Sequence, residues 1–121
     1  MPRHIFVFGS NLAGRHGKGA ALHARQKHGA EYGVGSGPTG NAYAIPTKDE
    51  NIRTLPLVRI ALYVAEFLEY ARSHSWVDFE VTRIGCGYAG YTDAQIAPMF
   101  AEAPANCHLP DGWRTGLTIE P

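Results

Sequence analysis

Two glycine-rich segments hold the residues of this chain that are best suited to chemistry. They are residues 9–19 (GSNLAGRHGKG) and residues 85–90 (GCGYAG), and each follows a short apolar run and precedes a helix-compatible stretch. Glycine adopts positive φ angles and lets a ligand approach the backbone closely. The N–H groups at the start of a following helix favour an anion. Together the two segments predict a cradle for a nucleotide diphosphate.

Neither segment completes a familiar phosphate-binding motif. Gly85, Gly87 and Gly90 fit the letters of the dinucleotide fingerprint, but a Rossmann domain needs an acidic residue about 20 residues on and further strand–helix units. In the first segment, Gly17-Lys18 lacks the Ser or Thr that follows the lysine of a P-loop. The sequence therefore predicts neither a Rossmann domain nor a P-loop enzyme. We expect positive φ at Gly87.

Three side chains near the glycines have both a chemical and an ordinary interpretation. Lys48 follows a short strand and could act as a nucleophile through its free amine, or it could be a solvated lysine beside Asp49 and Glu50. Lys18 is either a weak anion contact or a surface residue. His16 either touches a phosphate or faces water.

Four further residues carry similar alternatives. Cys86 is a nucleophile near helix dipoles or a small buried filler. Tyr88 and Tyr91 either stack on a ribose or base or pack on the sheet edge. Asp93 most simply complements the dipole in the first turn of a helix.

Composition indicates one ordinary folded domain. The chain has 121 residues, with 11 basic and 11 acidic side chains, which argues against a strong field for duplex nucleic acid or an anionic membrane. No apolar run approaches ~18 residues, and the start lacks a signal-peptide core, so we expect a soluble cytoplasmic protein without membrane partners. Cys86 and Cys107 should be reduced thiols. Cys107-His108 has no second pair at ligand spacing, so no metal or cofactor is expected.

The elements that must position these residues follow from periodicity and from turn residues. Strand and helix patterns alternate along the chain, which predicts an α/β fold with helices on both faces of a sheet. Pro98 limits the regularity of the last helix, for which Thr92 is the N-cap. We predict strands at 4–8, 43–46 and 79–84, helices at 19–28, 57–74 and 93–102, a mobile loop at 29–42, an irregular tail from about 104 and an edge strand at 115–119.

The two segments, with a Thr-Lys pair between them, resemble the macro domain, an ADP-ribose-binding fold. The chain is most similar to the branch whose members remove ADP-ribose from acidic side chains or from DNA bases. The resemblance implies a minimal macro-like three-layer α/β/α sandwich with a short mixed sheet, as a single domain over residues 1–121. It covers about residues 4–102 and rests on Asn11, Gly14, Gly17-Lys18-Gly19, Thr47-Lys48 and Ile84-Gly85-Cys86-Gly87.

The resemblance also implies roles for individual residues. Asn11 would hydrogen-bond the distal ribose, and the two glycine segments would wrap the diphosphate. Lys48 would be the catalytic residue, whose amine attacks the anomeric carbon and forms a transient Schiff-base-type adduct. The partner would be ADP-ribose or a related nucleotide, free or attached to protein or nucleic acid. The implied ligand-binding residues are Asn11, Gly14, Gly17, Lys18, Gly19, Gly85, Cys86, Gly87, Tyr88, Ala89 and Gly90.

The chain departs from this pattern at the position most concerned with catalysis. Ala89 stands where some hydrolases of the branch have an acidic residue, and Asp49, Glu50, Asp93 or a water molecule would have to substitute for it. Binding is therefore better supported than hydrolysis. Two alternatives stay open: a non-catalytic module that senses or sequesters a nucleotide signal, and an enzyme of another reaction type on the same scaffold.

Overall fold

The computed structural model describes residues 3–116, which form one five-stranded mixed sheet with helices on both faces. The strands are β1 (Arg3–Asn11), β2 (Gly37–Thr39), β3 (Ala42–Lys48), β4 (Val77–Val81) and β5 (Cys107–His108), and the helices are α1 (Gly19–Lys27), α2 (Leu57–Ser73), α3 (Asp93–Ile96) and α4 (Trp113–Gly116). A 3₁₀ turn at Ala97–Phe100 follows α3. The strand order across the sheet is β2-β3-β1-β4-β5.

The centre of the sheet is parallel. β1 lies between β3 and β4, with Phe6 opposite Ala42 on one side and opposite Glu80 on the other. A central parallel strand is covered on both faces, which explains the unbroken apolar run from residue 5 to residue 8. The three parallel strands all end at one edge of the sheet, where Asn11 pairs with Lys48 across an irregular step in the register.

The α2 helix covers one face of the sheet. Its apolar stripe buries Ile60, Val64 and Phe67 in the same cluster as Val7 and Phe79. Each fully buried side chain of this size contributes about 1.5–3 kcal/mol relative to an exposed one. The apolar period predicted that this helix covers one face of the sheet. That prediction is confirmed, because the apolar stripe packs into the larger core.

The opposite face carries a thinner layer. Phe6 and Phe8 alternate with the residues that face α2, and they pack with Ala21 and Ala24 of α1. The small alanine side chains bring α1 close to the sheet. The predicted α/β sandwich with a mixed sheet is thus the observed architecture.

Element boundaries differ from the predictions where polar residues continue a strand. β1 runs to Asn11 because the polar residues Ser10 and Asn11 are buried and still pair with β3. The predicted helix over 93–102 is split into α3 and a 3₁₀ turn, since Pro98 lacks the N–H that a continuous helix would use. Thr92 does cap α3, in a capping box with Gln95.

Two segments predicted to lack regular elements contain short strands. Within residues 29–42, β2 pairs antiparallel with β3, and this pairing makes the sheet mixed. Within the predicted tail, β5 pairs parallel with β4. The start of the predicted edge strand at 115–119 falls in α4, and the rest of it lies outside the described residues.

Between residues 3 and 116, no helix combines the length and the apolar character needed to cross a lipid bilayer.

Candidate functional site

A cleft of about 540 Å³ opens where the three parallel strands end. Its walls are the first glycine loop (residues 9–19), the second glycine loop (residues 85–90) and the end of β3. The sequence-predicted site residues that line it are Asn11, Gly17, Lys18, Gly19, Lys48, Gly85, Cys86, Gly87, Tyr88 and Ala89. The carboxyl ends of strands are the common place for ligands in α/β sheets.

The two remaining predicted residues, Gly14 and Gly90, are not among the lining residues of the cleft. Gly14 has φ +71° and packs directly against Gly33, whose N–H donates to the Gly14 carbonyl at 2.8 Å. Gly90 has φ +89° and donates its N–H to the Gly87 carbonyl at 3.0 Å. Both glycines therefore shape turns behind the cleft wall.

The cleft is lined by cations. Arg15, Lys18, Lys48 and Arg83 are lining residues, and no Asp or Glu stands among the lining positions that the structure describes. Over residues 3–116, only Arg83 of these four forms an ion pair, with Asp93. A concave surface with one sign of charge concentrates the electrostatic field. A chain with no formal net charge thus presents a positive cleft.

The α1 helix begins at the cleft without a cap. Lys18 takes the N-cap position in an extended conformation, and neither a capping side chain nor an acidic first-turn residue is present at this end of the helix. The first bond to the helix backbone runs from Leu22 N–H to Lys18 O, so the N–H groups of Gly19, Ala20 and Ala21 have no acceptor in the described part of the chain. Such N–H groups are ready donors for an anion.

The second glycine loop offers a similar set of donors. Turn bonds occupy the N–H groups of Cys86, Gly90 and Tyr91, whereas those of residues 87–89 have no acceptor among residues 3–116. The predicted positive φ at Gly87 is wrong: the left-handed positions of this loop are Gly85 at +77° and Gly90 at +89°. A side chain at Gly87 would meet open space.

Asn11 organises the first glycine loop from within. Its Nδ2 donates to the Arg15 carbonyl, and its Oδ1 accepts the Arg15 N–H, both at 2.9 Å. An amide retains one further donor and one further acceptor site after these two bonds. Asn11 therefore holds Arg15 at the cleft and can still hydrogen-bond a ligand.

Lys48 ends β3 and is half-buried in the cleft. Its Nζ lies 6.0 Å from the ring centroid of Tyr88, and the Nζ of Lys18 lies 5.5 Å from the same centroid. The Tyr88 ring also packs against Gly19, so the two glycine loops meet through this exposed side chain. Asp49 is used elsewhere, because its carboxylate accepts the N–H groups of Asn51 and Arg53.

The sequence predicted that His16 touches a phosphate or faces water, and both interpretations are wrong. Its side chain contacts neither the cleft nor water. Its side chain is fully buried, with its ring edge-on to Phe8 and its Nε2 3.1 Å from the Val34 carbonyl. Nδ1 has no hydrogen-bond partner within the described residues. Burial lowers the pKa of His16 below its ordinary value, so the neutral ring is favoured.

Cys86 lines the cleft with its thiol partly buried, and its Sγ donates to Asp93 at 3.7 Å. Burial first, and then the Asp93 carboxylate, raise the pKa of this thiol. These conditions disfavour the thiolate and support the interpretation of Cys86 as a filler. Burial raises the pKa of Cys107 to about 11. Across residues 3–116, no group of three His, Cys, Asp or Glu side chains could hold a metal ion.

Several lining residues escaped the sequence-based selection. They include Ser10, Arg15, Ile52, Thr82 and Arg83, and also Thr47, which entered the resemblance but was given no role at the site. Most of them stand at or just after a strand end, which is the signal that would have found them. Thr47 and Thr82 donate their hydroxyl groups to β1 carbonyls, so they brace the floor of the cleft. Ile52 has φ +62°, an unusual conformation for a β-branched residue.

No protein-family model and no curated protein matches this chain. A solved structure of a protein of unknown function from Bacteroides thetaiotaomicron is similar to it. The TM-score is 0.62 at 16% sequence identity, over 85% of this chain and 81% of that one. This likeness shows the fold, a mixed α/β sandwich.

Proposed function

We propose that the cleft binds ADP-ribose or a related nucleotide that carries a diphosphate. The observation that carries this proposal is the meeting of two sets of unpaired N–H groups, at residues 19–21 and 87–89, in a cleft lined by cations. Backbone donors combined with positive side chains are the usual means of holding phosphates. The resemblance of both glycine loops to those of the macro domain supports the same ligand.

The dimensions and chemistry of the cleft suit the whole nucleotide. Its volume of about 540 Å³ is typical of small-molecule sites. The diphosphate would lie between the two glycine loops, against Lys18 and Arg15. Tyr88 and Ile52 offer apolar surface for a base or a ribose, and Asn11 keeps one donor and one acceptor for a hydroxyl group.

Calorimetry with ADP-ribose, AMP and ribose phosphate tests the proposal. We expect ADP-ribose to bind most tightly, with a dissociation constant between micromolar and millimolar. Added salt should weaken the binding, because it screens exposed cations. The absence of heat for all three compounds at millimolar concentration would remove this function.

We further propose that Lys48 hydrolyses ADP-ribosyl linkages. Its half-buried position in the cleft favours this, since it is the lining cation that ends a strand opposite Asn11. The amine attacks the anomeric carbon, and the acceptor group leaves with the electrons of the broken bond. The ring oxygen then departs and takes up a proton as the imine forms. Water hydrolyses the imine, which releases ADP-ribose and restores the amine.

The matched variants Lys48→Ala and Lys18→Ala test this step. Lys48→Ala should abolish release of ADP-ribose from a modified protein or DNA while the affinity for ADP-ribose stays within a few-fold of the parent. Lys18→Ala should weaken binding but retain turnover. Borohydride should trap an adduct only where Lys48 is present.

Full turnover in Lys48→Ala would show the lysine mechanism to be wrong. If the parent binds ADP-ribose but releases none from any linkage, the protein is a non-catalytic module that senses or sequesters the nucleotide.

A further inference from the structure

The Asp93 carboxylate accepts hydrogen bonds from three side chains of separate segments. Arg83 donates through Nε and Nη2, each at 2.9 Å. Trp113 donates its indole N–H at 2.8 Å, and the Cys86 thiol donates at 3.7 Å. One carboxylate thus joins the segment after β4, the second glycine loop and α4.

Asp93 itself stands outside the cleft, whereas two of its partners line it. Arg83 and Cys86 are lining residues, and Trp113 is buried against Phe100 in the main core. Asp93 lies between Thr92 and Gln95, which form the capping box at the start of α3, and its carbonyl accepts the N–H of Ala97. The carboxylate therefore connects the start of α3 to one wall of the cleft.

We propose that Asp93 is a positioning residue for the nucleotide cleft, which holds Arg83 and the second glycine loop in the geometry that receives the diphosphate. This inference rests on the proposed nucleotide binding. It assigns Asp93 a role in ligand binding that Asp93 exerts through Arg83 and the second glycine loop. Arg83 Nη1 has no acceptor within residues 3–116, so the guanidinium keeps donors for a phosphate while Asp93 fixes its orientation.

If Asp93 preorganises the cleft, removing its carboxylate should weaken ADP-ribose binding. Without the carboxylate, Arg83 and the loop must be ordered when the ligand binds, and that ordering lowers affinity. The alternative is that the ion pair only neutralises Arg83. In that case, removing the carboxylate would free a cation and strengthen anion binding.

The test measures ADP-ribose affinity and the alkylation rate of Cys86 in Asp93→Asn, with Asp111→Asn as the matched control. Asp111 is an exposed carboxylate close to Trp113 and outside the network. We expect Asp93→Asn to weaken ADP-ribose binding roughly tenfold, the scale of one charge-assisted contact. Asp111→Asn should change neither quantity.

Alkylation of Cys86, followed by peptide mass, is independent of any ligand. The charged groups that face this thiol are Asp93 and Arg83. Asp93→Asn should move the pH profile of Cys86 alkylation to lower pH, because a negative charge that opposes the thiolate is gone. Arg83→Gln removes the cation of the same pair, so it should move the profile to higher pH while also weakening ADP-ribose binding.

Unchanged or tighter ADP-ribose binding in Asp93→Asn would overturn the positioning role, and so would an unchanged Cys86 profile in both variants. If the parent does not bind ADP-ribose, the proposed function fails. The opposite shifts of the two alkylation profiles would still show that Asp93 and Arg83 lie against the Cys86 thiol, as the hydrogen bonds place them.

Discussion

At the scale of single residues, two glycines of the second loop serve different physical needs. Gly85 has φ +77°, and a Cβ there would lie 2.9 Å from Ile96 Cδ1. Gly87 has an ordinary φ, and a Cβ there would meet nothing within 4 Å. The first glycine is required by the fold, whereas the second leaves room beside the unpaired N–H groups. Stability and binding should therefore respond to different substitutions.

We expect Gly85→Ala to lower the free energy of unfolding by about 1–3 kcal/mol, the usual cost of a strained backbone position. Gly87→Val should change that free energy by less than about 0.5 kcal/mol, as is usual for surface positions. It should nevertheless weaken ADP-ribose binding, because its side chain would occupy the approach to the donors. Urea unfolding and calorimetry on both variants measure the two effects. Equal loss of stability in the two variants would contradict this division.

His16 makes stability depend on pH. Burial lowers the pKa of this ring in the folded state, whereas the unfolded chain has a value of about 6.5. The unfolded chain therefore binds the proton more tightly. The stability due to the neutral ring is fully present above about pH 6.5 and is lost as the pH falls below that value.

We expect the free energy of unfolding to decline between about pH 7 and about pH 5, and to decline less steeply in His16→Phe. Some slope should remain in that variant, because burial also lowers the pKa of His28. Unfolding curves across this range measure the difference. An identical slope in parent and variant would show that His16 does not contribute.

At the scale of elements, the α1 helix lacks a stabilising contact at its cleft end. Lys18 has the extended backbone of an N-cap but cannot accept a hydrogen bond from the helix. A serine in that position normally accepts one from the second or third residue of the helix. The uncapped start leaves donors for a ligand and costs the helix some stability.

Lys18→Ser should therefore raise the free energy of unfolding by about 1 kcal/mol and weaken ADP-ribose binding. The hydroxyl group would occupy a donor of the helix, and a cation would be lost. Lys18→Ala is the control, since it removes the cation without supplying a cap. A stability gain of the same size in Lys18→Ala would show that capping is not its cause.

The sequence predicted elements well where one physical signal dominated. The apolar period located α2, and Thr92 marked the start of α3. Apolarity alone missed the end of β1, because Ser10 and Asn11 are polar yet buried by their pairing with β3. The short strands β2 and β5 depend on their partners and have little signal of their own.

The candidate site shows the same limit. The two glycine loops were recognisable as cleft walls because each joins a strand to a helix. Gly14 and His16 are directed away from the cleft by contacts with Gly33 and Val34, which lie far along the chain. Such non-local contacts leave no local pattern in the sequence.

At the scale of the whole molecule, charge is separated although its sum is zero. The cleft gathers four cationic side chains, while Asp78 and Glu80 of β4 pair with histidines on the exposed sheet surface. The composition, with 11 basic and 11 acidic residues, gives the net charge of zero. It does not indicate that cationic side chains gather in the cleft. A small anion meets the local field of the cleft, which the net charge does not describe.

The central place of β1 also has a consequence for how the chain folds. It precedes every other strand between residues 3 and 116, yet its partners begin only at Ala42 and Val77. Contacts between residues so far apart in the chain slow folding relative to a helical protein of equal size. Until β4 has emerged from the ribosome, β1 keeps an open apolar edge, the kind of edge through which incomplete chains associate.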